Sequence, residues 1–204
     1  MTTARTKRSI IGALAIAALA LTSCAGGGGT PTPTSSSATP TAAPTPQQSL
    51  PPVSKEESIK SAQAAYKEYL DVYAAIAADG GKNEEPLVPL GLGMTNGGRA
   101  SDFFKGLVDT KSHTSGTMKF KYLEGDATTW TSLDGKTTRE FGQVDMKVCL
   151  DNRDFKVVGP DGKDTGKYGP EQMLYSVTSI WYNGRWTITK DWITDDKVTP
   201  CDAS

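Results

Sequence analysis

Apolar residues in this chain follow two periods, one after the other. Ile59, Ala62, Tyr66, Tyr69, Leu70, Tyr73, Ile76 and Ala77 recur at steps of three and four, which places them on one stripe of an α-helix. Ahead of the stripe, Ser54-Lys55-Glu56-Glu57 has the spacing of a capping box, and behind it Gly80-Gly81 supplies a stop. The pattern predicts a helix of roughly 24 residues. Residues 82–98 contain Pro86, Pro89 and several glycines, so they read as an irregular connection in which Leu87, Val88, Leu90 and Leu92 pack down intermittently. A shorter helix over Arg99 to Lys111 would bury Phe103, Phe104, Leu107 and Val108. His113, the chain's single histidine, follows in a polar loop.

From Gly116 the period becomes two. Met118, Phe120 and Tyr122 alternate with lysine and threonine in a half-buried strand, a short strand follows at Thr128 to Ser132, and Asp134-Gly135 turns the chain. Val144, Met146, Val148 and Leu150 form one apolar face of a long strand, and Phe155 to Val158 runs into the turn Pro160-Asp161-Gly162. Two last runs, Gln172 to Tyr182 and Arg185 to Ile193, flank Asn183-Gly184, a pair suited to a type I′ turn. With a two-residue loop, Trp181 faces Trp186, Ser179 faces Ile188 and Val177 faces Lys190. Tyr175, Val177, Trp181, Trp186, Ile188 and Trp192 would then share one apolar face, and the opening helix is its natural cover. Helices first and about six antiparallel strands afterwards is an α+β order, with a long helix and a shorter one packed on a curved sheet. Residues 53–204 are enough for one such domain.

What precedes the domain is of a different kind. Residues 1–23 run from a basic start (Arg5, Lys7, Arg8) through an apolar stretch, Ile10 to Leu21, of about a dozen residues, the form of a secretory signal and too short to span a bilayer. It closes on Leu21-Thr22-Ser23-Cys24, which resembles the lipobox of bacterial lipoproteins. The resemblance implies cleavage after Ser23 and a diacylglyceryl group on the Cys24 thiol, with a second acyl chain giving durable attachment to the cell membrane on its extracytoplasmic face. Residues 24–52 continue, after Cys24, as glycine, threonine, serine, alanine, glutamine, one leucine and seven prolines without charge. Such a tract has too little apolar surface to fold and reads as a disordered tether, roughly 85 Å long if stiff and about 30 Å as a coil.

Cysteine and charge narrow the partners. Three cysteines are an odd number for an exported chain. Assigning Cys24 to lipid leaves Cys149 and Cys201 as a pair in an oxidising compartment. A bridge between them would close a loop of about 50 residues and contribute on the order of 4 kcal/mol; the alternative is two buried, unlinked thiols. The whole chain carries 22 Lys+Arg and 23 Asp+Glu, and without the signal's three bases 19 face 23, about −4. A nucleic-acid partner is not expected from that balance.

The chemistry-bearing motifs are few. One histidine beside Thr114, Ser115 and Gly116 offers neither a metal set nor an activated nucleophile. Gly91-Leu92-Gly93 lacks the residues that make a phosphate loop. No metal or cofactor is expected. The helix from Ser54 to Asp79, the segment Val144 to Asp151 with Cys149, and the ending Gly184-Arg185-Trp186-Thr187-Ile188 together resemble the nuclear-transport-factor-2-like superfamily, the cone-shaped fold of ketosteroid isomerases and SnoaL-like proteins. They resemble in particular actinobacterial lipoproteins of unassigned function that carry such a domain.

Enzymes of that superfamily use a cavity carboxylate with Tyr and Asp donors, for which Tyr66, Tyr69, Tyr73, Tyr122, Glu140, Asp145 and Asp151 are candidates. Asp145 lies on the polar phase of its strand, and no carboxylate is expected on the apolar phase of the later strands. The leading expectation is a non-catalytic module binding an envelope protein or a small apolar ligand in a cavity lined by Tyr66, Tyr69, Tyr73, Phe103, Trp181 and Trp186. An isomerase or dehydratase, and a lipoprotein that scaffolds or blocks another surface system, are the alternatives.

Overall fold

The computed structural model describes residues 50–91, 99–167, 169 and 171–194. The leader, Cys24, the linker up to residue 49 and Cys201 lie outside the described residues. All described residues belong to one compact unit, residues 44–204. Its elements are α1 (Lys55–Ala78), a 3₁₀ turn (Glu85–Leu87), α2 (Arg99–Thr110), and strands β1 (His113–Ser115), β2 (Lys119–Thr131), β3 (Thr138–Asp151), β4 (Lys156–Val158), β5 (Asp164–Lys167), β6 (Gln172–Tyr182) and β7 (Arg185–Ile193). The class is α+β with antiparallel pairing throughout. In place of the single curved sheet of about six strands that was expected, the described residues form seven strands in two sheets, one of four in the order β2-β3-β6-β7 and one of three in the order β1-β4-β5.

α1 begins and ends as its sequence predicts. Ser54 Oγ accepts from the Glu57 amide at 3.2 Å, while the Glu57 carboxylate reaches the amide of Val53, one residue earlier than a standard capping box, at 3.0 Å. At the other end Gly80 and Gly81 both take positive φ, and the Gly81 amide donates to the Ile76 carbonyl at 2.9 Å. A side chain at Gly81 would meet the Phe104 backbone at 2.5 Å, so this glycine also lets α2 approach the end of α1.

The stripe on α1 is the core's upper layer. Ala62, Tyr66, Tyr69, Leu70, Tyr73, Ile76 and Ala77 are buried with Phe104 and Leu107 of α2, Val144, Met146, Val148 and Leu150 of β3, and Val177, Trp181, Trp186 and Ile188 of the final hairpin. Val108, expected inside, is 47% exposed: on a helix it lies one step beyond Leu107 and off the buried face. The irregular connection docks through Leu87 and Leu90, both buried, and the Leu90 carbonyl accepts from the Ile188 amide at 2.8 Å.

Four strand details depart from the expected pattern. The two runs at 118–122 and 128–132 are one strand, β2, kept in register with β3 by irregularities at Tyr122/Glu124 and Thr128/Trp130. His113 opens β1 instead of lying in a loop, and β5 forms after the Pro160-Asp161-Gly162 turn where no strand was expected. The closing hairpin has the predicted turn, with Asn183 at φ 50° and Gly184 at φ 79°, and pairs Trp181 with Trp186 and Ser179 with Ile188. It then slips: Thr178 pairs with Lys190 and Val177 with Asp191, leaving Thr189 as an extra residue. This bulge reverses the phase of the rest of β7. Trp192, expected inside, is 58% exposed, and Asp191 takes the inward phase.

Candidate functional site

Among the described residues, hollows of about 290 Å³ beside Asp126 and Asp145 and about 540 Å³ beside His113 accompany two places of more interest, one on each face of the four-stranded sheet. The inner one lies under α1. Tyr66, Tyr69 and Tyr73 stand one turn apart, so their rings follow one another, with centroids 6.1 and 6.3 Å apart. Phe120 meets Tyr66 edge-on at 5.0 Å, and Phe103 stacks on Tyr73 at 5.8 Å. Trp181 and Trp186 form a separate T-shaped pair at 5.9 Å across the hairpin. Of the six residues expected to line a cavity, Tyr69 and Tyr73 border this inner space and Trp181 borders a second hollow described below; the space that remains beside the two tyrosines is about 40 Å³. That holds two or three waters, far below the roughly 300–1,000 Å³ of a drug-sized site. The aromatic row fills the interior that it was expected to line.

The residue that alternation missed is Asp191. The bulge at Thr189 turns it toward this small cavity, where Arg99, Tyr69, Tyr73, Tyr175 and Met118 are its neighbours in the lining. Burial raises the Asp191 carboxyl from 3.8 to about 7, against the opposing pull of the Arg99 charge and of the hydrogen bond donated by the Tyr66 hydroxyl at 3.4 Å. Tyr66, fully buried beside that carboxylate, has its own hydroxyl held well above its ordinary value, chiefly by burial, and stays a donor. A carboxyl group that exchanges its proton near neutrality, a phenol and a guanidinium thus meet in one small space. They can hold a proton or orient water.

The other acidic candidates are occupied elsewhere. Asp145 sits on the outer face, accepting from Thr178 Oγ1 at 2.6 Å and Gln143 Nε2 at 2.8 Å. Asp151 is gripped by the Arg153 guanidinium, which lowers its carboxyl to about 2. Glu140 is exposed, and Tyr122 is half-buried on β2. His113 is exposed. Among the described residues no three His, Cys, Asp or Glu gather at metal-binding distance, and no helix is long and apolar enough to cross a membrane. Cys149 is buried on β3.

The second place is a trough on the outer face, the one away from α1, enclosing about 860 Å³. Its floor is Thr178 and Ile180 of β6, both buried. Trp130 and Tyr182 form a T-shaped pair at 6.3 Å on one wall, and Arg139, Lys190 and the fully exposed Leu133 complete the rim. A second irregularity shapes it. Between the pairs Thr128/Gln143 and Trp130/Arg139, β3 carries three residues opposite one. Phe141 there adopts φ 54°, a left-handed conformation that costs a non-glycine residue on the order of 1–3 kcal/mol. Gly142 lies so close that an added Cβ would meet Arg139 Cβ at 2.5 Å and Trp130 Cβ at 3.3 Å. The bend therefore presses the trough's aromatic and its arginine together.

No protein-family model and no curated protein matches this chain. Among solved structures, the crystal structure of the intermembrane space region of the chloroplast protein ARC6 is similar over 66% of this chain and 94% of that one, at 10% identity. Its TM-score is 0.32, and the likeness carries no argument about this chain.

Proposed function

We propose that this chain is a lipid-anchored extracytoplasmic binding module, non-catalytic, that engages its partner through the trough on the outer face of the sheet. The carrying observation is the contrast in space, about 40 Å³ inside against about 860 Å³ outside. Leu21-Thr22-Ser23-Cys24 and the uncharged tract behind it support the anchor, with Cys24 acylated and the tether holding the domain clear of the membrane. In this reading Cys149 and Cys201 form a disulfide, and the long helix laid across a curved sheet is the cone of the nuclear-transport-factor-2-like superfamily. The partner is an envelope component, and no nucleic acid or resident cofactor takes part.

A second reading is favoured by one observation, the Asp191 carboxyl beside Tyr66 and Arg99. A group that titrates near 7 is suited to general acid–base work of the isomerase or dehydratase kind. Its substrate would have to be far smaller than a steroid.

The test separates the two in the cell that makes the protein. Trp130→Ala with Tyr182→Ala should reproduce the phenotype of deleting the gene, while Asp191→Asn should behave as wild type. The reverse outcome would transfer the function to the inner cavity. For the anchor, metabolic labelling with a fatty acid should mark the wild-type protein and not Cys24→Ala, and the variant should leave the membrane fraction.

A further inference from the structure

We propose that the outer trough is a binding site for an acidic polysaccharide, with sugar rings lying against Trp130 and Tyr182 and their carboxylates or phosphates meeting Arg139 and Lys190. The inference rests on the trough reading given above and names its ligand class. Charge is the first support. Many lysines elsewhere on this surface are matched with carboxylates, among them Lys55 with Asp126, Lys67 with Asp71, Lys119 with Asp154 and Lys147 with Glu124, although among the described residues Lys60 and Lys111 are not. Arg139 and Lys190 are both exposed and line the trough, yet among the described residues neither has a carboxylate within ion-pair distance. The acid on the same rim, Asp134, stays ionised and has its own counter-ion, the Lys136 ammonium at 3.4 Å, besides accepting from Ser132 Oγ at 2.6 Å and the Lys136 amide at 3.1 Å. Two bases left without counter-ions on a concave surface complement an anionic ligand.

Shape and wall chemistry decide which anion. About 860 Å³ is near the upper end for a single small molecule, so an oligomer fits better than one ring. The trough lies on the face of the sheet, and the unpaired backbone rows belong to its two edges, on β2 and β7, in the plane of the ladder and not on the trough's floor. Recognition must come from side chains. Those present are an aromatic pair, two bases, and the hydroxyls of Thr131, Thr137 and Thr189, of which Thr131 already pairs with Thr138 and Thr189 donates to the Thr178 carbonyl while keeping its acceptor side. Flat apolar ring faces, many hydroxyls and regularly spaced negative charge are what such a wall can satisfy together, and an acidic glycan has all three. The strained turn at Phe141 and the close approach of Gly142 hold the Trp130 and Arg139 side chains adjacent before any ligand arrives.

The full chain in detergent micelles can be titrated with three polymers while tryptophan fluorescence is followed: polygalacturonate, its fully methyl-esterified form, and poly-glutamate. The expected result is saturable binding of polygalacturonate, lost on esterification and at least about tenfold weaker for poly-glutamate, with affinity falling as salt rises. Arg139→Ala and Trp130→Ala should each weaken binding about tenfold or more, and Arg139→Lys should recover part of the loss. An unchanged melting transition in each variant keeps these losses from being attributed to unfolding. Equal binding of poly-glutamate would show that charge alone is read and overturn the glycan assignment. So would equal binding of the esterified polymer, no binding of any polymer, or a dimer that covers Trp130 in sedimentation. If the trough variants still reproduce the deletion phenotype while no polysaccharide binds, the trough reading stands and only its ligand class falls.

Discussion

The two faces of the four-stranded sheet are built from the same strands and end in opposite conditions. Beneath α1, Val144, Val148, Val177 and Ile188 have no exposure at all, and the space left over fits a few waters. On the outside, Thr178 and Ile180 floor an open trough whose two bases have no acidic partner among the described residues. Each face also owes its polar group to a bulge. The extra Thr189 turns Asp191 inward, and the extra residues around Phe141 bring Arg139 beside Trp130. The difference teaches that stability should be concentrated on one face and recognition on the other.

The strongest way to break that division is to truncate the inner row. Tyr66→Ala removes a fully buried ring that stacks with Tyr69, meets Phe120 and donates to Asp191. Loss of that burial and the cavity left behind should cost about 3–5 kcal/mol, read as a fall in denaturant midpoint. A cost under about 1 kcal/mol would mean that the interior is not the tightly packed layer described.

Next in size is the carboxyl on the inner face. Because the folded state holds the Asp191 proton up to about pH 7 and the unfolded chain releases it near 3.8, folding takes up a proton between those values. This group's contribution is therefore greatest below pH 4, falls as pH rises toward 7, and is lost above it. Asp191→Asn, which keeps the shape without the charge, should stabilise the protein at pH 8 by on the order of 2–4 kcal/mol and have little effect at pH 4. Denaturant midpoints at the two pH values check the sign. A variant equally destabilised at both would show that the carboxylate is satisfied when ionised.

Much of this contrast can be read from the chain and part cannot. The stripe from Ile59 to Ala77, the glycine stop, the β3 alternation and the Asn183-Gly184 turn follow from local rules, since each is decided by neighbours within a turn of helix or a pair of strands. The bulge at Thr189 is not, because one uninterrupted run of strand-forming residues is compatible with either phase until tertiary contacts choose. Two misreadings follow from that one residue: Trp192 lies outside and Asp191 inside. The inner tyrosines were legible as a stripe, but whether they line space or fill it depends on how closely α1 approaches the sheet. The trough escaped the sequence because Trp130, Arg139 and Lys190 come from three strands and each alone looks like an ordinary surface residue. The one local signal was Phe141-Gly142 interrupting the alternation of β3.

That interruption gives the third and smaller effect. Gly142→Ala would place a methyl group against Arg139 and Trp130 with no room for it. Overpacking of this kind costs about 1–3 kcal/mol, so the variant should fold with a modestly lower midpoint. It should lose more in ligand binding than in stability, since the displaced side chains are the trough's own.

The smallest expected effect sharpens the comparison most. Arg139→Ala and Lys190→Ala each remove an exposed side chain with no ion-pair partner among the described residues. Substitutions of that kind fall within about 0.5 kcal/mol of wild type, and thermal or denaturant melts should show nothing beyond that. A base that served the fold would give a clear loss here, as breaking a networked charge does. Silence in the melt together with a defect in the cell would locate the purpose of the two bases outside the folded chain, in whatever anion the trough receives.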